Sequence, residues 1–172
     1  MNSYTFVLTF TLPDRQDNPE QYLDALYAAG CDDAAVGVGQ LGMIGLDFTR
    51  AAHSAEDAIR SAVDNVRAAI PGTTLVQAGP DLVGLTQMAE IFGFSRQNMR
   101  KYAAGQSSTP AAFPLPVVLG DPSLWHLAEI VAWLRLNTTV QPANDVFEVA
   151  KTTAKLNFEV ERERQKKILK LA

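Results

Sequence analysis

The chain has 172 residues, of which 47% are apolar and 20% charged, and a formal net charge of −4. This length suffices for a buried core in one large domain or, as we prefer, in two small ones. No run of about 18 apolar residues is present and the N-terminus lacks a signal-peptide pattern, so the sequence predicts a soluble cytoplasmic protein without membrane contact. The lone Cys31 and two histidines exclude an intramolecular disulfide and a zinc site, and we expect neither a metal nor another cofactor.

Strand and helix patterns alternate through the first half of the chain. A half-buried strand is predicted where apolar residues take every second position, at Tyr4, Phe6, Leu8, Phe10 and Leu12. Pro19 can open a helix that ends near Gly30. The apolar stripe of that helix comprises Tyr22, Leu23, Leu26 and Tyr27. Two short apolar runs, 34–38 and 41–48, then predict a hairpin.

A second helix is predicted to begin at Ser54, with Asp57 three residues later, and to end before Pro71. Its buried face comprises Ala55, Ile59, Ala62, Val63, Val66 and Ile70. A last strand is predicted over residues 73–77. The resulting order β-α-β-β-α-β, over residues 1–80, is that of ferredoxin-like domains, which host enzymes, ligand sensors and assembly modules alike.

Two features of this half resemble a ligand-binding or catalytic site, but the neighbouring residues do not support either interpretation. Residues 37–42 read GVGQLG, which matches the G-x-G-x-x-G pattern that binds a pyrophosphate when a helix follows. Residues 43–48 have a strand pattern instead, so a glycine-rich hairpin turn is the preferred interpretation. His53 has no serine or cysteine placed to use it, which favours a capping or surface role over catalysis. We therefore expect that the protein is not an enzyme.

Residues 85–103, LTQMAEIFGFSRQNMRKYA, have the spacing of a helix-turn-helix unit. Ala89 supplies the small residue where the helices cross, Gly93 permits the positive φ of a tight turn, and Ser95 can cap the second helix. The apolar positions that hold the helices together are Met88, Phe92, Phe94, Met99 and Tyr102. This register leaves polar and basic side chains on the outer faces of the second helix.

Charge separates the two halves of the chain. Residues 1–80 hold 10 acidic and 4 basic residues, whereas residues 81–172 hold 9 acidic and 11 basic ones. An ordinary solvated helix pair, the competing interpretation, would mix both signs, but residues 94–104 contain no acidic residue. Base- and phosphate-reading side chains are therefore predicted. The candidate DNA contacts are Thr86, Ser95, Arg96, Gln97, Asn98, Arg100, Lys101 and His126.

Residues 113–135, FPLPVVLGDPSLWHLAEIVAWLR, resemble the wing and closing helix of MerR-like and AlpA/excisionase-like winged helix-turn-helix domains. The resemblance is carried by Phe113, Pro114, Pro116, Val117, Gly120, Trp125, Glu129, Trp133 and Leu134. It covers residues 82–136 and implies a DNA-binding domain in which the F-P-x-P-V stretch forms the first wing strand.

The wing departs from the family pattern, because family members commonly offer lysine or arginine to phosphate there. Here Leu115, Val118 and Leu119 are apolar, Asp121 is acidic, and only His126 could contact phosphate. A wing that supports the fold, or that binds another protein, is therefore expected.

The last segment, residues 143–172, contains no glycine or proline after Asn144 and predicts a long helix. Its heptad-like apolar positions are Val146, Val149, Thr153, Leu156 and Val160. A dimerising helix is the first interpretation, and a terminal helix docked on the domain is the second.

Together these patterns predict an α+β chain with a ferredoxin-like domain (1–80), a winged helix-turn-helix domain (81–137) and a C-terminal helix (143–172). The predicted function is a sequence-specific transcriptional regulator, a repressor, that binds double-stranded DNA as a homodimer. The alternative is an antitoxin that binds a toxin protein and represses its own operon.

Overall fold

The computed structural model describes residues 1–171 and divides into two compact units. Unit 1 comprises Met1–Gly79 with the chain from Thr152 onward, and unit 2 comprises Pro80–Lys151. Both helices and antiparallel strands are present, so the chain is α+β. Within residues 1–171, no helix is both long and apolar enough to cross a membrane.

Unit 1 contains a four-stranded sheet in the order β2-β3-β1-β4, in which all neighbouring strands are antiparallel. The strands are β1 (Asn2–Thr11), β2 (Ala34–Gly37), β3 (Met43–Ala52) and β4 (Thr74–Gly79). The helices are α1 (Leu23–Ala28), which follows a 3-10 turn at Pro19–Tyr22, and α2 (Ala55–Ala69). The predicted order is present, and the predicted hairpin is confirmed by the β2–β3 pairing.

Unit 2 is built mainly of helices. They are α3 (Leu85–Phe92), α4 (Arg96–Ala103) and α5 (Leu127–Asn137), with a two-stranded sheet of β5 (Leu82–Val83) and β6 (Trp125–His126). The last helix, α6 (Asn144–Ile168), begins in unit 2 and continues into unit 1.

The core of unit 1 lies on one face of the sheet. Along β1 the side chains of Tyr4, Phe6, Leu8 and Phe10 are buried, whereas Val7 between them is exposed. Every residue of the face predicted for α2 is also buried. Burying an aromatic or branched side chain stabilises the fold by about 1.5–3 kcal/mol. The two apolar faces therefore hold α2 against the sheet.

The stripe predicted for the first helix is largely wrong. Only Leu26 is buried, while Tyr27 is 72% exposed and Leu23 is 39% exposed. The helix is too short to form the stripe, because α1 has 6 residues and only one of its side chains is turned toward the sheet. Tyr22 lies in the preceding 3-10 turn, where its hydroxyl donates a hydrogen bond of 2.8 Å to Asp17.

The glycine-rich hexapeptide forms the end of the β2–β3 hairpin, and β3 rather than a helix follows it. Gly42 has a φ of +72°, and its N–H donates to Asp17 O over 2.9 Å. A Cβ atom at Gly42 would lie 2.7 Å from the carbonyl oxygen of Arg15. Gly42 is therefore required by a close approach of two backbone segments.

Helix α6 is fixed to unit 1 by its side chains. The Asn157 amide donates to Ala78 O over 2.8 Å and accepts from Ala78 N–H over 2.7 Å, at the edge of β4. Lys155 donates to Glu56 of α2 over 3.2 Å. Thr153, which belongs to the predicted dimer stripe, is fully buried. The chain itself thus covers part of that stripe, as expected for a docked terminal helix, and the homodimer stays a prediction.

Arg50 joins three elements of unit 1. Its guanidinium donates to both carboxylate oxygens of Asp33, over 2.7 and 2.8 Å, and to Gly30 O over 2.7 Å. On α2 it donates to Ser61 over 3.2 Å and to Asn65 over 3.3 Å. Arg50 is only 8% exposed, so these bonds are shielded from water. They hold the chain after α1 and the start of β2 against α2.

Replacing Arg50 with methionine keeps much of its apolar stem but removes all five hydrogen bonds. We expect the free energy of unfolding to fall by about 3 kcal/mol, because Asp33 loses its partner. Urea unfolding followed by circular dichroism measures this loss. The control is Arg15→Met, since Arg15 is exposed. Equal midpoints for the two variants would contradict the role of Arg50.

Candidate nucleic-acid interface

The predicted pair of helices is present as α3 and α4, joined by Gly93 and capped by Ser95. Gly93 has a φ of +68°, the left-handed conformation that the sequence predicts for the turn. The Ser95 hydroxyl accepts a hydrogen bond of 3.1 Å from the N–H of Asn98, so the predicted cap is confirmed. These local features set the direction in which α4 leaves the turn.

The apolar positions predicted to hold the helix pair together all contact the core of unit 2. Met88 and Met99 are fully buried, and Ala89 is also buried. The other three, Phe92, Phe94 and Tyr102, are partly buried and pack against the same core. Because Met99 faces inward, the remaining faces of α4 are turned outward.

Phe113 lies between the two tryptophans of unit 2. Its ring centroid is 6.1 Å from that of Trp125 and 5.0 Å from that of Trp133, both in edge-to-face geometry. Each indole N–H donates to a backbone carbonyl, Trp125 to Pro114 over 2.9 Å and Trp133 to Ala112 over 2.8 Å. The aromatic residues that carry the family resemblance therefore fix residues 112–114 to the core.

The first wing strand implied by the resemblance does not form. Residues 113–117 contain no strand, and only a single bridge joins Val118 to Leu124. Pro114 and Pro116 explain this difference, because proline has no N–H to donate to a strand partner. The connection also exposes apolar side chains, with Leu115 85% and Leu119 88% exposed.

Six of the eight predicted DNA contacts are exposed: Thr86, Ser95, Arg96, Gln97, Arg100 and Lys101. Asn98 is half-buried at the capped first turn of α4. Within residues 1–171, Arg96, Arg100 and Lys101 form no ion pair, although ion pairs are found elsewhere in the chain. Three cationic side chains on one short helix are therefore available to an external anion.

A cleft of about 410 Å³ lies beside α4 and includes part of this set. Arg96 and Arg100 line it together with Thr86 and Gln87 from the first turn of α3. The N-cap of α3 is Gly84, which has no side chain to cap the helix, and Gly84 and Leu85 also line the cleft, so this helix end adds positive potential there. Asp121 also lines the cleft and reduces that potential. Gly84 before α3 is the sequence signal that could have revealed this uncapped helix start.

His126 differs from the other candidate contacts in its partner. Its Nδ1 lies 2.7 Å from Oδ1 of Asp81, which is 5% exposed. His126 does not line the cleft of Arg96 and Arg100. A phosphate at His126 would have to compete with the buried carboxylate of Asp81, so His126 is a weak candidate for contact with DNA.

Residues 1–171 contain no group of three or more His, Cys, Asp or Glu that could hold a metal ion. Cys31 is buried, and desolvation raises the pKa of its thiol, which makes it a poor nucleophile. Comparisons with family models, curated proteins and solved structures found no match. The functional interpretation of the protein therefore depends on the geometry of the chain itself.

The turn at Gly93 can be tested by substitution. A Cβ atom there would meet no atom within 4 Å, so any loss of stability comes from the backbone conformation alone. We expect Gly93→Ala to lower the free energy of unfolding by about 1–2 kcal/mol. Gly93→Asn is the matched variant and should lose less, because asparagine tolerates this conformation. Thermal unfolding measures both, and equal losses would contradict a requirement for positive φ.

Proposed function

We propose that unit 2 is a winged helix-turn-helix domain and that the protein is a sequence-specific DNA-binding transcriptional regulator, with unit 1 as a ferredoxin-like sensing or assembly domain. The observation that carries this proposal is the outer surface of α4. It exposes Arg96, Gln97, Arg100 and Lys101, contains no acidic residue, and makes no ion pair within residues 1–171.

The dimensions of α4 suit the major groove of DNA. An α-helix with its side chains is about 10–12 Å across, close to the width of that groove, so α4 can lie within it. Arg96 and Gln97 lie in its first turn, the part that reaches base edges in helix-turn-helix complexes. Arginine suits guanine and glutamine suits adenine, since each can form two hydrogen bonds with that base.

Phosphate contacts would come from the ends of the two helices. Arg100 and Lys101 lie in the last turn of α4, and Thr86 lies in the uncapped first turn of α3. The wing adds little, because its exposed side chains, such as Leu115 and Leu119, are apolar. Because one chain would make so few contacts with DNA, binding of two chains to two half-sites is favoured. A homodimer is therefore part of the proposal.

Base reading predicts that single substitutions in α4 change specificity. Arg96→Ala and Gln97→Ala should each weaken binding to the preferred sequence by about 1–3 kcal/mol and weaken binding to scrambled DNA much less. The preferred sequence is first selected from a random library with the full chain. Gln106→Ala is the control, since Gln106 is exposed beyond the end of α4.

Two results would overturn base reading by α4. One is that selection enriches no sequence at all. The other is that the two substitutions weaken binding to preferred and scrambled DNA equally, as expected for contacts with the backbone alone.

Phosphate contact predicts a change in salt dependence. Lys101→Ala should weaken binding to every sequence alike and lower the slope of log affinity against log salt by about one. Lys151→Ala is the matched control, because this lysine is exposed on α6, outside the helix pair. Fluorescence anisotropy at several salt concentrations gives both slopes, and an unchanged slope for Lys101→Ala excludes that contact.

A further inference from the structure

Unit 1 contains a groove of about 440 Å³ between α2, α6 and the edge of β4. Apolar side chains from all three elements line it: Val63 of α2, Leu75 and Val76 of β4, and Leu156 and Val160 of α6. Its volume lies within the range of small-molecule sites in proteins, about 300–1,000 Å³. The groove shares no residue with the helix pair of unit 2.

Polar contacts fix the walls of this groove. Asn157 makes two hydrogen bonds to the backbone of Ala78, which set the distance between α6 and β4. Glu56 of α2 accepts from Lys155 over 3.2 Å and from Arg60 over 2.9 Å. These contacts draw α6 toward α2 as well, so the groove exists without a ligand and binding requires little ordering of the chain.

The charges at the rim are unequally matched. The charged residues that line the groove are Arg60, Asp64, Arg67, Glu159, Glu163, Arg164 and Lys167. Arg60 lies 3.9 Å from Glu159, and Glu163 accepts from Lys166 over 2.7 Å, so both glutamates have a cationic neighbour. Arg164 pairs with Glu161 over 3.4 Å.

Two cations remain at the rim without an ion pair in residues 1–171, Arg67 on α2 and Lys167 on α6. They come from the two helices that flank the groove. The pKa of Glu163 is lowered mainly by its hydrogen bond to Lys166 and further by the charge of Lys167, whereas Asp64 makes no ion pair within residues 1–171. The lining holds four cations and three carboxylates, so the rim has one net positive charge and attracts an anionic group more than a cationic one.

We propose that this groove binds a small anionic amphiphile, a carboxylate carried on an apolar chain. The apolar chain covers Val76, Leu156 and Val160, the half-buried apolar side chains of the groove, and the carboxylate lies at the rim near Arg67 and Lys167. The combination of an apolar floor with a few charged groups that fix orientation is the usual composition of a ligand site. This inference concerns unit 1 alone and holds whether or not unit 2 binds DNA.

Decanoate is the probe, and decanol and decylamine are its neutral and cationic counterparts. Isothermal titration calorimetry of the full chain should show saturable binding of decanoate, weaker binding of decanol and no binding of decylamine. Arg67→Gln and Lys167→Gln should each weaken decanoate binding about three- to five-fold, the effect of one exposed charge pair. Both side chains are exposed, so neither substitution should unfold the protein.

Lys170→Gln is the matched control, because it removes the same charge three residues beyond Lys167 but does not line the groove. Its affinity for decanoate should equal that of the unsubstituted chain. Absence of decanoate binding overturns the proposal, and so does equal affinity for decanol. If Lys170→Gln weakens binding as much as Lys167→Gln, the attraction is unspecific and the groove is not the site. None of these outcomes depends on DNA binding.

Discussion

Alternation along β1 is the constraint on which unit 1 depends. Tyr4, Phe6, Leu8 and Phe10 share one face of this strand, which pairs with β3 on one side and with β4 on the other. A slip of one residue would move this whole set to solvent, so the register of the sheet is strongly specified. The position of α2 follows, because its apolar face covers the same side of the sheet. The shape of the groove beside β4 depends on the same register, because two of its three walls are β4 and α2.

Unit 2 uses aromatic packing for a comparable purpose. The ring centroids of Tyr102 of α4 and Trp133 of α5 are 5.4 Å apart, and the ring of Phe113 packs between those of Trp133 and Trp125. Edge-to-face pairs add about 0.5–1.5 kcal/mol each beyond the area they bury, and they restrict ring orientation. A short helix such as α4 has little stability by itself. The orientation of α4 therefore depends on these rings. The direction in which its exposed cationic side chains point depends on that orientation.

Local patterns made much of this structure predictable. The face of α2, the left-handed glycine of the turn and the cap at Ser95 each follow from neighbouring residues. Features that join distant residues left no such signal. His126 and Asp81 are 45 residues apart, and Asn157 and Ala78 are 79 apart. The groove depends on the second pair, so it was invisible in the sequence. The expected wing strand does not form for a local reason, the two prolines, although Trp125 and Trp133 still bind the backbone of residues 112–114.

The side chain of Asn157 has a consequence for the behaviour of the protein at high concentration. An edge strand offers unpaired N–H and C=O groups on which another chain can add a strand, and such addition leads to aggregation. At Ala78 an amide side chain already occupies both groups, so β4 is blocked near the C-terminal end of its outer edge. The opposite edge of the sheet is β2, which has only 4 residues and ends in glycine. One edge is thus obstructed at Ala78, and the other offers only 4 residues to a partner strand.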